Sequence, residues 1–422
     1  MKLNKFIMES NNVTRDSFIW NMIGSMLMAF QSVILLMILT RTVGLIESGI
    51  FTIAYANANL FLTIGKYGMR NFQVSDVKEE FSFEEYKTSR IITVFTMAVL
   101  SVGYVLYSSI VNEYSFEKSM IIIGMCIFKL PDAIEDVYYG EYQKCGRLDI
   151  ASKAMTLRLL LTLIIFSIIV MISKNLLYAL FISSCSTFVI MYVFLKWTYG
   201  KFKKTTEMQW NNVIRVLKYC FPLFAGSFLS FYIGNAPKYA IDSLLTDELQ
   251  ACYGFLAMPV FVIGLLNGFI FNPMLFKLSC LWNEAKIKLF LKQVAIQTAI
   301  VAGITSVCIF GAYLIGIPVL SLLYNTNLSS YKTELLILLL GGGFLGFSGL
   351  LNAVITIIRC QKNLLWGYFA VAIIAFFISN PIVKKYQITG AAILYMVLMS
   401  IICVCFLFIF IWKIVKYYKK EK

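Results

Sequence analysis

The chain contains no histidine, only 14% of its 422 residues are charged, and its ten cysteines never fall in a CxxC spacing. Without histidine there is no Ser-His or Cys-His catalysis, and the commonest metal ligand is missing. The cysteines are scattered through apolar runs, where they read as small hydrophobes and not as metal ligands or disulfide partners. Soluble domains carry roughly a quarter charged residues, so 14% charged with 59% hydrophobic residues excludes a soluble globule. Long polar segments are lacking as well. The two longest, 71–90 and 196–213, are too short for a soluble domain, so the chain acts within a membrane.

What is present is a series of apolar runs of roughly 20 residues or more, enough to cross a hydrocarbon core of about 30 Å at about 1.5 Å per residue. Hydropathy and breakers place twelve spans, at about 18–40, 49–70, 91–110, 119–140, 154–172, 176–195, 214–243, 251–276, 288–316, 335–358, 364–383 and 390–414. The first run follows Lys2, Lys5, Glu9, Arg15 and Asp16 and precedes no small-residue cleavage site, which reads as a retained helix. The fold class expected is therefore all-α, a polytopic membrane protein of about twelve helices. An even number of spans puts both termini on one side. In this register 27 of the 37 Lys and Arg fall on that side and 7 on the other, with Lys66, Lys129 and Arg158 inside spans. The positive-inside rule makes the termini cytoplasmic. All six Trp fall near the cytoplasmic span ends, as interfacial anchors do. The net charge of +15 is thus a topology signal and a response to anionic membrane lipids, with no nucleic acid among the partners.

The segment "KWTYGKFKKTTEMQWNN" divides the chain into an N-terminal six-helix lobe over 1–200, a cytoplasmic linker over 201–212 and a C-terminal six-helix lobe over 213–422. The stretches 45–68 and 246–269 look weakly alike, as parallel repeats of alternating-access transporters do.

Charge inside a span costs about 2.5–3.5 kcal/mol per residue facing lipid. Span four, "SMIIIGMCIFKLPDAIEDVYYGEY", carries Lys129, Asp132, Glu135 and Asp136, which must therefore face the bundle interior or water. Helical spacing puts Lys129, Asp132 and one of Glu135 and Asp136 on one face, and Arg158 of span five enters at the depth of Asp136, the expected ion-pair partner. Two readings stand side by side: a structural salt-bridge network, or a proton or sodium coupling site. In "GKYGMRNFQVSD", Lys66 and Arg70 stand at i and i+4, a shared face at the cytoplasmic mouth where two cations can neutralise a diphosphate. Topology alone explains Arg70; Lys66, one turn deeper, is the better ligand candidate. Asn21, Gln31, Asn57 and Asn59 place amides in spans one and two, for sugar hydroxyls or for holding helices together. In "GGGFLGFSG" the GxxxG at Gly342 and Gly346 reads as close helix packing.

Three stretches, "LTRTVGLIESGIFTIAYANANLF", "GKYGMRNFQVSD" and "APKYAIDSLLTDELQACYGFLAMPVF", resemble the Wzx-type polysaccharide flippases of the multidrug/oligosaccharidyl-lipid/polysaccharide exporter superfamily. With the twelve-span plan the resemblance covers essentially the whole chain. It implies a V-shaped, two-lobed bundle in the bacterial cytoplasmic membrane that moves an undecaprenyl-diphosphate-linked oligosaccharide to the outer leaflet, alongside other polysaccharide-assembly membrane proteins. It implies no cofactor beyond a proton or sodium gradient. The matching positions are Arg41 and Gly44, Gly49, Gly68, Arg70 and Asp76, and Pro237, Lys238, Tyr239 and Asp242. Substrate-binding candidates are thus Arg41, Lys66, Arg70, Lys129, Asn57, Asn59 and Lys238; ion-coupling candidates are Asp132, Glu135, Asp136, Arg158 and Asp242. The chain has Glu47 where the related lipid II flippases carry a second cation, which argues against a phosphate site there. A multidrug/cation antiporter of the same superfamily calls for a cavity of carboxylates and aromatics. A membrane polysaccharide polymerase calls for a large external loop with catalytic Arg or His, which this chain lacks.

Overall fold

The computed structural model describes residues 2–76, 78–202, 208–271, 274–358 and 360–421, and among them every regular element is helical. In chain order these are α1 (Lys2–Met8), α2 (Val13–Thr42), α3 (Leu45–Lys66), α4 (Met69–Ser75), α5 (Phe83–Val111), α6 (Phe116–Lys144), α7 (Leu148–Ser173) and α8 (Leu176–Thr198). They continue with α9 (Trp210–Leu244), α10 (Asp247–Phe271), α11 (Leu275–Asn283), α12 (Ile287–Gly311), α13 (Ile317–Tyr324), α14 (Lys332–Ile357) and α15 (Gln361–Glu421).

The helices start where the sequence offers a side chain to their unpaired amides. Asn12 accepts from the Arg15 amide, Ser115 from that of Lys118 and Asn175 from that of Tyr178. Ser82 and Glu85 form a reciprocal capping box that opens α5 at Phe83. Span three therefore begins eight residues earlier than the expected 91, and Arg90 lies two turns inside a helix instead of in a loop.

Ten helices among the described residues are long and apolar enough to cross a membrane. The last, α15, is two spans: Gln387 (φ 49°, ψ −131°) breaks it, and Tyr368 and Phe406, equally far from the break along the chain, meet edge to face at 5.1 Å. The charged α6, 29 residues long, is the remaining one of membrane length. The twelve-span architecture predicted from hydropathy is the one observed, a multi-pass membrane protein.

The chain divides into two compact units, Met1–Phe228 and Leu229–Lys422. The division falls inside α9, not in the segment 201–212, of which 203–207 lie outside the described residues. The reason is local packing: Val216 and Cys220 in the first half of α9 are buried in a core with Met69, Phe81, Tyr86 and Val137.

In each unit the second membrane helix packs along the fourth, α3 on α6 and α10 on α14, which is the arrangement a parallel repeat predicts. Helix α14 carries the run Gly341, Gly342 and Gly343, three adjacent residues pointing three ways. A Cβ there would stand 2.7 Å from the Tyr395 ring, 2.9 Å from Val260 Cγ1 and 2.5 Å from Thr305 Cγ2, respectively. Only glycine lets α10, α12 and α15 approach α14 this closely, so packing is the role of this run. On α6 the contacts with α2, α5 and α7 are built from charge.

Candidate functional site

The interior of the N-terminal unit holds an ion-pair network centred on α6. Lys129 is 1% exposed; its Nζ donates to Gln31 Oε1 of α2 at 2.7 Å and to Asp132 Oδ2 at 3.1 Å, and lies 4.8 Å from the Tyr55 ring centre. Arg158 of α7, 2% exposed, donates through one Nη to Asp132 at 2.5 Å and Glu135 at 2.6 Å. The Tyr139 hydroxyl donates to the other oxygen of Glu135 at 3.0 Å. Asp132 therefore bridges two cations from two helices. Pro131 has no N–H to give to the carbonyl of Ile127, which loosens the α6 ladder beside these charges.

The expected pair of Asp136 with Arg158 is not formed. Residues one apart on a helix point about 100° apart, so Glu135 faces α7 while Asp136 faces α5. There Arg90, 2% exposed, donates to Asp136 at 2.8 Å and to the Gly65 carbonyl at 2.5 Å, with Thr93 donating to the same carbonyl at 2.9 Å. Sequence reasoning missed Arg90. The capping box at Ser82 and Glu85 was the available signal, since it fixes the start of α5 and hence the depth of Arg90.

Lys66 and Arg70 do not share one continuous helical face. Tyr67 (φ 53°) and Gly68 (φ 63°) are both left-handed, so α3 ends at Lys66 and α4 starts anew at Met69. Both cations nevertheless turn towards α6. Arg70 donates to Gln143 Oε1 at 2.9 Å and stands 3.8 Å from Asp136, and the charge of Lys66 acts on Asp132. Five cations (Lys66, Arg70, Arg90, Lys129 and Arg158) thus converge on three carboxylates (Asp132, Glu135 and Asp136) from five helices. The excess is positive, and Lys66 makes no ion pair or hydrogen bond of its own among the described residues.

The other candidates separate. Arg41 lies ten residues beyond Gln31 on α2, about 15 Å along the axis, and is exposed. Asn59 donates to the Tyr55 carbonyl within its own helix, whereas Asn57 is 1% exposed with its Oδ1 unengaged. Gln31, first seen as a generic amide, proves to be the partner of Lys129. Asp76 caps the turn after α4, accepting from the Glu80 and Phe81 amides and the Tyr86 hydroxyl. Lys238 and Asp242 belong to the C-terminal unit, one turn apart on α9.

The model of the family described as polysaccharide biosynthesis protein matches residues 14–279. The capsular polysaccharide biosynthesis protein CapF of Staphylococcus aureus is 28% identical over 281 residues, 64% of this chain and 69% of that protein. Among solved structures, the lipid II flippase MurJ in an inward closed conformation superposes with a TM-score of 0.71 at 13% identity, over 94% of this chain and 86% of that one. An outward-facing multidrug resistance MATE family transporter of the MOP superfamily superposes with a TM-score of 0.60 at 13% identity, over the whole of both chains. At such identities the likeness is one of fold, and that fold is the one the superfamily resemblance implied.

Proposed function

Because the chain belongs to the polysaccharide biosynthesis protein family and has the fold of a lipid-linked flippase, we propose that it moves an undecaprenyl-diphosphate-linked oligosaccharide from the inner to the outer leaflet of the bacterial cytoplasmic membrane by alternating access, with both termini cytoplasmic. The observation that carries the reading is the positive excess inside the N-terminal unit. A diphosphate crossing a hydrocarbon core needs fixed cations, and Lys66 and Arg70 at the α3–α4 break supply them where the helix is interrupted. An antiporter of cationic drugs would want the opposite excess there. Coupling to a proton or sodium gradient falls in this proposal to Asp132 and Glu135, which share Arg158, while Asp136 is tied to Arg90 as a structural pair.

Deleting the gene in a strain with no second flippase tests the assignment. Lipid-linked repeat units should accumulate in the inner leaflet and surface polysaccharide should be lost. Normal arrival of these units in the outer leaflet overturns it, and accumulation that persists with Lys66→Gln and Arg70→Gln together assigns the headgroup to these cations.

A further inference from the structure

The C-terminal unit contains a pocket of about 360 Å³ bounded by α9, α10, α14 and both arms of α15. Volumes of this size accommodate small polar ligands. Its polar side chains are Lys238, Asn235, two serines (Ser230 and Ser348) and three tyrosines (Tyr253, Tyr368 and Tyr395), set in a largely apolar wall. No aspartate or glutamate lines it. Among the described residues no carboxylate, carbonyl or ring engages the Lys238 ammonium, and its side chain is half-buried in the pocket wall. The contrast with the N-terminal unit is sharp, where Lys129, Arg90 and Arg158 each meet a carboxylate of the chain itself.

An ammonium half drawn out of water without a counter-charge is costly. A chain that sets a carboxylate beside Arg90, Lys129, Lys153 and Arg158 in one unit, yet none among the described residues beside this half-buried ammonium, leaves its counter-charge to come from elsewhere. The rest of the lining narrows what arrives. One ammonium balances one negative charge, and three tyrosines, two serines and an asparagine offer hydroxyl and amide partners and ring faces. Hydroxyls set among ring faces and apolar side chains suit a pyranose, which carries hydroxyls at its edge and C–H groups on its faces. Asn235 and Lys238 stand one turn apart on the same face of α9, so an acid group and a neighbouring hydroxyl can be read together.

We infer that this pocket binds an anionic group of the translocated glycan, a sugar carboxylate such as that of a hexuronic acid, with Lys238 as its counter-ion. The inference rests on the flippase reading for the source of the glycan, and names its class: an acidic repeat unit. The diphosphate is the other anion such a substrate carries, and the test separates the two.

The full-length protein in lipid nanodiscs is titrated with a glucuronate-terminated trisaccharide, with the same trisaccharide ending in glucose, and with inorganic pyrophosphate. The acidic trisaccharide should bind at least about ten-fold more tightly than the neutral one. Lys238→Gln should abolish that preference and leave pyrophosphate binding unchanged, and Lys238→Arg should keep it. Equal binding of the two trisaccharides to the unaltered protein overturns the inference without recourse to any variant, so misfolding of one variant cannot shield it. A loss of pyrophosphate binding in Lys238→Gln equal to the loss of uronate binding also overturns it, assigning Lys238 to the diphosphate. Binding is read without transport, so failure here leaves the flippase assignment standing. A normal outer-leaflet population in the deletion strain removes that assignment while leaving a uronate preference intact.

Discussion

Replacing Asp136 with asparagine removes the carboxylate that Arg90 holds at 2.8 Å in a site where the arginine is 2% exposed. Breaking one side of a buried ion pair costs about 3–5 kcal/mol, because the surviving charge is left desolvated. Arg90 keeps the Gly65 carbonyl, which places the expected loss at the lower end, about 3 kcal/mol. Arg70 also loses Asp136, but that contact is 3.8 Å long, its side chain is 26% exposed and it keeps Gln143, so it adds less than about 1 kcal/mol. Against a typical folding stability of about 5–15 kcal/mol this is a large fraction. Purified in detergent, Asp136→Asn should melt well below the parent and express poorly. Adding Arg90→Gln should restore most of the loss, since two amides can hydrogen-bond without a buried charge. Adding Arg158→Gln should make matters worse, because it strips the partners of Asp132 and Glu135. Rescue by Arg158→Gln in place of Arg90→Gln would refute the pairing, and with it the division of α6 into a face towards α5 and a face towards α7.

Asp132→Asn should destabilise more than Glu135→Gln, since it takes a partner from both Lys129 and Arg158 whereas Arg158 keeps Asp132 in the second case; charged hydrogen bonds are worth about 1.5–3 kcal/mol each, and a reversed order of melting temperatures would show that Gln31 alone holds Lys129. In α14, Gly343→Leu should lose about 1–3 kcal/mol by driving Thr305 away, whereas Gly349→Ala, where no atom lies within 4 Å, should be silent in expression and melting. In a chain freed of its ten cysteines, a cysteine placed at Asn175 or Asn327 should react with an impermeant maleimide from outside and one at Gln209 should not; labelling at Gln209 would invert the topology.

The sequence by itself determined the class, the number of spans and the existence of a charged interior. These follow from quantities that add along the chain: hydropathy over a membrane thickness and the cost of charge facing lipid. It also placed Lys129 and Asp132 on one side of α6, because helical spacing fixes which residues share a face, but it left Glu135 and Asp136 as alternatives there and set Arg158 against Asp136. Three things were decided only by tertiary structure. Which arginine takes Asp136 depends on the rotation of α5 and α7 about α6, and a 100° step between adjacent residues sends Glu135 one way and Asp136 the other. The break between Lys66 and Arg70 depends on two left-handed residues, of which only Gly68 is of a type that signals one. That no carboxylate among the described residues pairs with Lys238 could not be seen at all from its neighbours in sequence, where Asp242 stands one turn away. Pairing is a matter of which helices meet, and α10, α14 and α15 bring tyrosines and serine to that pocket but no carboxylate.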